Sequence, residues 1–94
     1  MIIKIFTQPD CPNCPPAKTL GKQIESEMKR SRWPGLTIDW FDTTEVDGMA
    51  EAAFYQVMGT PTVLLIDDKG GIVAEWRSKV PEKQEILSNL GLKE

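Results

Sequence analysis

The chain has 94 residues, enough for one domain over 1–94 and near the lower end of what builds an independent core. An apolar share of 40% and a charged share of 27% describe an ordinary soluble globule, and a net charge of −3 gives no electrostatic reason to expect nucleic acid or an anionic membrane as partner. No apolar run approaches the roughly 18–20 residues that span a bilayer, and histidine is absent, which removes the commonest metal ligand and the usual general base.

The opening "IIKIF" (2–6) is β-branched and largely apolar, as a strand covered on both faces would be. The N-terminus lacks the basic start, apolar stretch and small-residue cleavage site of a leader, so the chain is expected in the cytoplasm. Structural disulfides are uncommon there. From Pro15 to about Arg30, Ala17, Leu20, Ile24 and Met28 fall at helical spacing, with Lys18, Lys22, Gln23, Lys29 and Arg30 around them. "WPG" (33–35) breaks that helix. "LTIDWF" (36–41) alternates as a second strand, with Leu36, Ile38 and Trp40 on one face.

"TTEVDG" (43–48) offers N-cap residues for a short helix over about 47–55. "PTVLLID" (61–67) and "GIVAEW" (71–76) read as strands, separated by a "DKG" loop whose glycine suits the left-handed position. "VPEKQEILSNLG" (80–91) closes the chain as a helix. Pro81 suits its first turn, Ile86, Leu87 and Leu90 form its buried stripe, and Gly91 is its C′ residue. The order β-α-β-α-β-β-α needs a parallel crossover first and an antiparallel hairpin later. The fold class is therefore α/β, a four-stranded mixed sheet with helices on both faces.

The only two cysteines, Cys11 and Cys14, stand in "TQPDCPNCPPAK" (7–18), where the first strand ends and the first helix begins. With Cys11 as N-cap, Pro12 would be the first helical residue and Cys14 the third. The N–H groups of Asn13 and Cys14, with the helix dipole, would then stabilise a Cys11 thiolate. This spacing sets both sulfurs on one face, close enough to join. Cys11 is expected to be exposed at the helix tip as the attacking thiol, and Cys14, one turn in, to be the sheltered resolving thiol.

Asp10 opposes that arrangement, since a nearby carboxylate raises a thiol pKa. Pro15 and Pro16 remove two N–H donors and are expected to distort the first turn. Other chemistries fit less well. A staple closing so short a loop constrains the unfolded chain by about 2 kcal/mol at best. Zinc needs four ligands, and two thiolates without histidine leave it incomplete unless Asp10 or a second chain contributes. Incidental core cysteines would not need this placement. Redox exchange is the reading the residues favour.

With "CPNC" after the first strand and "AFYQVMGTPTVLLID" (53–67) some 50 residues later, the chain resembles the thioredoxin-fold family, of the short kind that includes glutaredoxins and small thioredoxins. The resemblance covers nearly the whole chain and implies the thioredoxin fold. It further implies that Pro61 is the family's cis-proline beside the cysteines and that Gly59, Thr60 and Pro61 bind substrate. A strand-like segment could pair with the Thr60 main chain there.

The chain also departs from both branches of the family. Asp10 stands where thioredoxins carry tryptophan, Pro12-Asn13 replaces Gly-Pro between the cysteines, and Ile5 replaces a buried acid in the first strand. Gln8 stands where glutaredoxins use a lysine for a glutathione carboxylate, and their acidic motif after the hairpin is not recognisable in "DDKGGIVAEW" (67–76).

The resemblance thus implies an enzyme that reduces protein disulfides through Cys11 and Cys14 and needs no cofactor and no metal. Asp10, Pro12 and Asn13 would modulate the pair. A flavoprotein of the thioredoxin-reductase type is expected to recycle it, and the chain is expected to act as a monomer. The alternatives are a glutathione-dependent glutaredoxin, or a metal or iron–sulfur carrier sharing its cysteines across a dimer.

Overall fold

The computed structural model describes residues 1–12, 14–29 and 36–89, and all side chains among them except 27–29 and 87. Asn13, the "WPG" break, Leu90 and Gly91 lie outside the described residues, as do the side chains of Met28 and Leu87. The described elements are β1 (Ile2–Thr7), α1 (Pro15–Lys29), β2 (Thr37–Asp42), α2 (Val46–Phe54), β3 (Thr62–Ile66), β4 (Ile72–Arg77) and α3 (Lys83–Asn89). They form one four-stranded sheet in the order β2-β1-β3-β4. β1 runs parallel to β2, with Ile5 opposite Trp40, and antiparallel to β3, with Phe6 opposite Thr62. β3 and β4 make the antiparallel hairpin. This is the expected mixed sheet.

The two central strands are apolar because both their faces are covered. Ile3 and Ile5 of β1, with Val63 and Leu65 of β3, pack against Ala17, Leu20 and Ile24 of α1 and Ile86 of α3. On the other face Phe6, Leu64 and Ile66 meet Ala52 of α2, with Phe41 and Tyr55 at the margin. Each large side chain buried this way contributes about 1.5–3 kcal/mol relative to leaving it in water. Lys4 is the one charge that β1 turns toward α2. Its ammonium pairs with Glu51 and lies over the rings of Phe41 and Tyr55.

Leu36 and Ile38 pack with the α1 face, as the alternation of "LTIDWF" requires. Trp40 continues that face and lies so close to Gly21 of α1 that a methyl there would overlap the indole. In the hairpin loop Gly70 takes φ 85°, and the Asp67 carboxylate accepts from the N–H groups of Lys69 and Gly71. Glycine is needed at that one turn position.

Two helix starts differ from expectation. α3 begins at Lys83, so Pro81 precedes the helix and is buried outside its first turn. The cap is a pair of glutamates: the Glu85 carboxylate accepts from the Glu82 N–H at 2.8 Å, three residues back, as in a capping box. α2 has Glu45 as N-cap, with no side-chain cap bond, although Thr43 and Thr44 were the residues suited to it. Both threonines are committed elsewhere. The Thr43 N–H donates to the Thr7 carbonyl, and the Thr44 N–H and hydroxyl donate to the Asp42 carboxylate. Those two hydrogen bonds hold the Asp42 carboxyl below the usual carboxylate range. The turn is tight enough that a Cβ on Gly48 would run into the Asp42 carbonyl.

Candidate active site

The cysteines do occupy the β1–α1 junction, and the helix keeps the start at Pro15 that the apolar spacing gave it, but Cys11 is not its N-cap and Pro12 and Cys14 are not helical. α1 begins at Pro15, and Cys14 is the residue before it, its carbonyl accepting from the N–H groups of Ala17 and Lys18. The reason lies in the prolines. The α region is disfavoured for a residue preceding proline, and Cys14 stays outside the helix, whereas Pro15, although followed by Pro16, enters it as the first residue. Pro15 and Pro16 then cost nothing as the first two helical residues, since N–H groups at a helix start have no intrahelical partner. The distorted turn expected of them is avoided by starting the helix on them.

Cys11 accordingly sits in a pair of tight turns and not at a helix tip. Its N–H donates to the Gln8 carbonyl at 3.2 Å, and the Cys14 N–H donates to the Cys11 carbonyl at 3.3 Å. The Cys14 N–H, one of the two donors expected to face the Cys11 sulfur, is thus committed to a carbonyl. The other donor, the Asn13 N–H, lies outside the described residues. The two residues form a disulfide with Cα atoms 5.3 Å apart. Cys11 is buried, at 8% exposure, where an exposed residue was expected. Cys14 is more deeply buried, at 2%. Asp10, just before the pair, and Pro12, between its two members, are exposed.

Register brings the second landmark to the same end of the sheet. Phe6 stands opposite Thr62, so the chain leaving β1 toward Cys11 and the chain entering β3 through Gly59, Thr60 and Pro61 lie side by side. The Thr60–Pro61 bond is cis and Pro61 is fully buried. A recess of about 410 Å³ joins the two loops, with Gln8 on one wall and Gly59 and Thr60 on the other. Met49, Ala53 and Met58 from α2 and its C-terminal loop also line it, and among the described residues none that lines it is charged.

Several residues that shape this place were not marked by the sequence. Thr43 fastens the end of β2 to β1: its N–H donates to the Thr7 carbonyl, and its hydroxyl reaches toward the Thr7 carbonyl and the Gln8 side chain. Thr62, 1% exposed, donates its hydroxyl to the Gly59 carbonyl at 2.7 Å and accepts from the Ser78 N–H. It ties the loop before β3 to the end of β4. The C-terminus of α2 turns into that loop through a left-handed Gln56, φ 56°, with Val57 and Gln56 N–H groups returning to Ala52 and Ala53. The Arg77 guanidinium donates to the Tyr55 and Gln56 carbonyls and so holds a turn usually given to glycine. A buried hydroxyl next to a Gly-Thr-Pro run was the one sequence signal available for Thr62.

Ile5, in the position of the family's acid, is fully buried among aliphatic neighbours of the α1 face. The nearest charge on β1 in sequence, Lys4, points to the opposite face. Burial pulls its ammonium down, but the hydrogen bond and charge of Glu51, with Tyr55, outweigh that and hold it above the usual lysine range. Among the described residues no three cysteine, aspartate or glutamate side chains gather to hold a metal ion, and no helix is long and apolar enough to cross a membrane.

With this geometry in place, the comparison with known proteins is direct. Residues 1–90 match the thioredoxin domain family, and the chain belongs to that family. In class it is a thiol–disulfide oxidoreductase with a redox-active Cys-x-x-Cys disulfide. A thioredoxin of Methanocaldococcus jannaschii is 29% identical over 66 residues, which cover 70% of this chain and 71% of that protein. Thioredoxin 1 of Thermosipho africanus shares the fold at a TM-score of 0.68 and 19% identity, over 97% of this chain and 91% of that one. Thioredoxin-2 of a malaria parasite shares it at 0.76 and 13% identity, over 96% and 80%.

Proposed function

We propose that the protein is a protein-disulfide reductase in which Cys11 is the nucleophile and Cys14 the resolving thiol. In the reduced protein the Cys11 thiolate attacks one sulfur of a substrate disulfide, and the other substrate sulfur leaves as a thiolate that takes up a proton. Cys14, deprotonated, then attacks the Cys11 sulfur. The second substrate thiolate is released, and two electrons have passed from the pair to the substrate. The observation that carries this reading is the disulfide itself, set in a loop that shares a recess with Gly59 and Thr60. A substrate segment lying in that recess would meet the Thr60 main chain as an added strand would. Both electrons stay on sulfur, so the couple needs no cofactor.

The uneven burial supports the division of roles, since Cys11 is the less buried residue of the two. Cys14→Ser is expected to accumulate mixed disulfides with substrate, and Cys11→Ser to trap none. Non-reducing electrophoresis reads the result, and equal trapping by the two variants would reverse or abolish the assignment. Asp10, Pro12 and Asn13 are the neighbours that would tune the pair, Asn13 lying outside the described residues.

A flavoprotein of the thioredoxin-reductase type is the donor that the recess favours. Glutathione carries two carboxylates and an ammonium group, and a hydrogen bond to a charged group is worth about 1.5–3 kcal/mol. Among the described residues no charged side chain lines the recess, and Gln8 occupies the wall where glutaredoxins place a cation. The absence of two such hydrogen bonds would weaken glutathione binding by roughly a hundredfold or more. NADPH oxidation should therefore be faster through thioredoxin reductase than through glutathione and glutathione reductase, and the reverse order would place this chain with the glutaredoxins. The reading is of a cytoplasmic monomer.

A further inference from the structure

We propose that the outer face of α2, with the adjoining end of β2, is a docking surface for one kind of partner. The partner is a polypeptide segment carrying bulky apolar residues near its half-cystine and Lys or Arg a few residues further on. The proposal rests on the reading of Cys11 and Cys14 as a protein-disulfide reductase and names the substrates that reading would favour.

The first observation is an apolar surface concentrated on one element. Val46 is 77% exposed, Phe54 74% and Met58 95%, with Met49 half-exposed between them. A single exposed apolar side chain on a protein surface needs no explanation, but a group of them on α2 and the loop that follows it, beside a redox site, does. Met49 and Met58 also line the recess shared with Gln8 and Thr60, so this surface is continuous with the place where a substrate would lie. Methionines adapt to varied apolar partners, which suits a surface meeting more than one sequence.

The second observation is the sign of the charge around it. Between Leu36 and Gly59 there are five carboxylates, Asp39, Asp42, Glu45, Asp47 and Glu51, and no lysine or arginine. Lys4 reaches across to this segment, where it pairs with Glu51. Arg77, at the other end of α2, is engaged by Glu75 and by the Tyr55 and Gln56 carbonyls. Asp42, Glu45 and Asp47 edge a second recess of about 450 Å³, which Trp40, Phe41 and Val46 also line.

α2 therefore lies between the recess that Gln8, Met49, Met58 and Thr60 line and a carboxylate-edged recess. A segment that leaves a mixed disulfide with Cys11 and crosses α2 meets the exposed Met49 and Met58 first and negative charge afterwards. Lys or Arg at the far end is matched in charge. An acidic segment would face unrelieved like charge, so the surface discriminates as well as attracts.

The test uses three disulfide-linked peptides with the same apolar residues but Lys/Arg, Ser or Asp/Glu at the distal positions, and neutral hydroxyethyl disulfide as a measure of the chemistry alone. At low salt the basic peptide should be reduced at least about tenfold faster than the acidic one. That ratio should approach one at roughly 0.5 M salt, where screening is nearly complete. In the doubly substituted Glu45→Gln, Asp47→Asn protein the basic-to-acidic ratio should fall several-fold.

A cysteine-free copy of the basic peptide, titrated into the oxidised protein, should shift the amide resonances of residues 46–54. Equal rates for the basic and acidic peptides, or a preference that survives the double substitution, would overturn the docking proposal. If hydroxyethyl disulfide is not reduced while the cysteine-free peptide still shifts residues 46–54, the reductase reading falls and the docking surface stands. If hydroxyethyl disulfide is reduced and the cysteine-free peptide shifts nothing, the docking surface falls alone.

Discussion

Thr62 shows how one buried hydroxyl can govern a loop that carries no charge of its own. It donates to the Gly59 carbonyl and accepts from the Ser78 N–H, so it fixes the segment before β3 against the end of β4. Thr62→Val keeps the shape and removes both bonds, leaving the part-buried Gly59 carbonyl and the Ser78 N–H to water. Each bond of this kind contributes about 0.5–1.5 kcal/mol. The expected result is a lower midpoint of chemical denaturation and a raised KM for a protein disulfide, with kcat less affected. Thr62→Ser, which restores the hydroxyl, should recover KM. A Thr62→Val protein with unchanged KM would show that the loop is held by other means. The same residue marks what could be read beforehand and what could not. "GTPT" located the loop in the chain, but the partner Ser78 lies 16 residues away and only the folded hairpin brings it near.

At the scale of elements, periodicity was a good guide to type and a poor one to boundaries. The apolar run "TVLLI" and the spacing of Ala17, Leu20 and Ile24 report burial, which the hydrophobic effect writes directly into sequence. Helix starts depend instead on where particular N–H groups and side chains go. α1 starts on its two prolines and leaves Cys14 outside, Thr43 and Thr44 were drawn to β1 and Asp42, and Glu85 moved the start of α3 past Pro81. The pairing of Lys4 with Glu51 is a long-range contact of the same kind, joining β1 to α2.

That pairing has a consequence for stability against pH. The Lys4 pKa is raised in the folded protein, so its contribution is fully present below the ordinary lysine value of 10.5 and is lost as pH rises through the folded value. Denaturation midpoints should therefore fall on the alkaline side, above about that pH. Lys4→Met should flatten this limb, although its absolute stability is lowered by leaving Glu51 without its cation. An alkaline limb of unchanged slope in Lys4→Met would show that the ion pair contributes nothing there.

The whole molecule places three things at one end of a sheet: a disulfide in a double turn, an uncharged recess and a helix whose outer face is apolar and acidic. Element order made the first meeting of strand and cysteines legible, because a strand–helix junction is local in sequence. The recess was not legible, since Gln8, Met49 and Thr60 come from three separate segments. All of it serves the claim that Cys11 and Cys14 are a reversible two-electron couple working on protein disulfides. The direct measurement is to mix the fully reduced protein with a stoichiometric disulfide-bonded polypeptide such as insulin, quench with acid, and count thiols on each partner. The account predicts that the two thiols of this chain disappear as two appear on the substrate, through a transient mixed disulfide on Cys11. Thiols that persist on Cys11 and Cys14 while the substrate stays oxidised would contradict it.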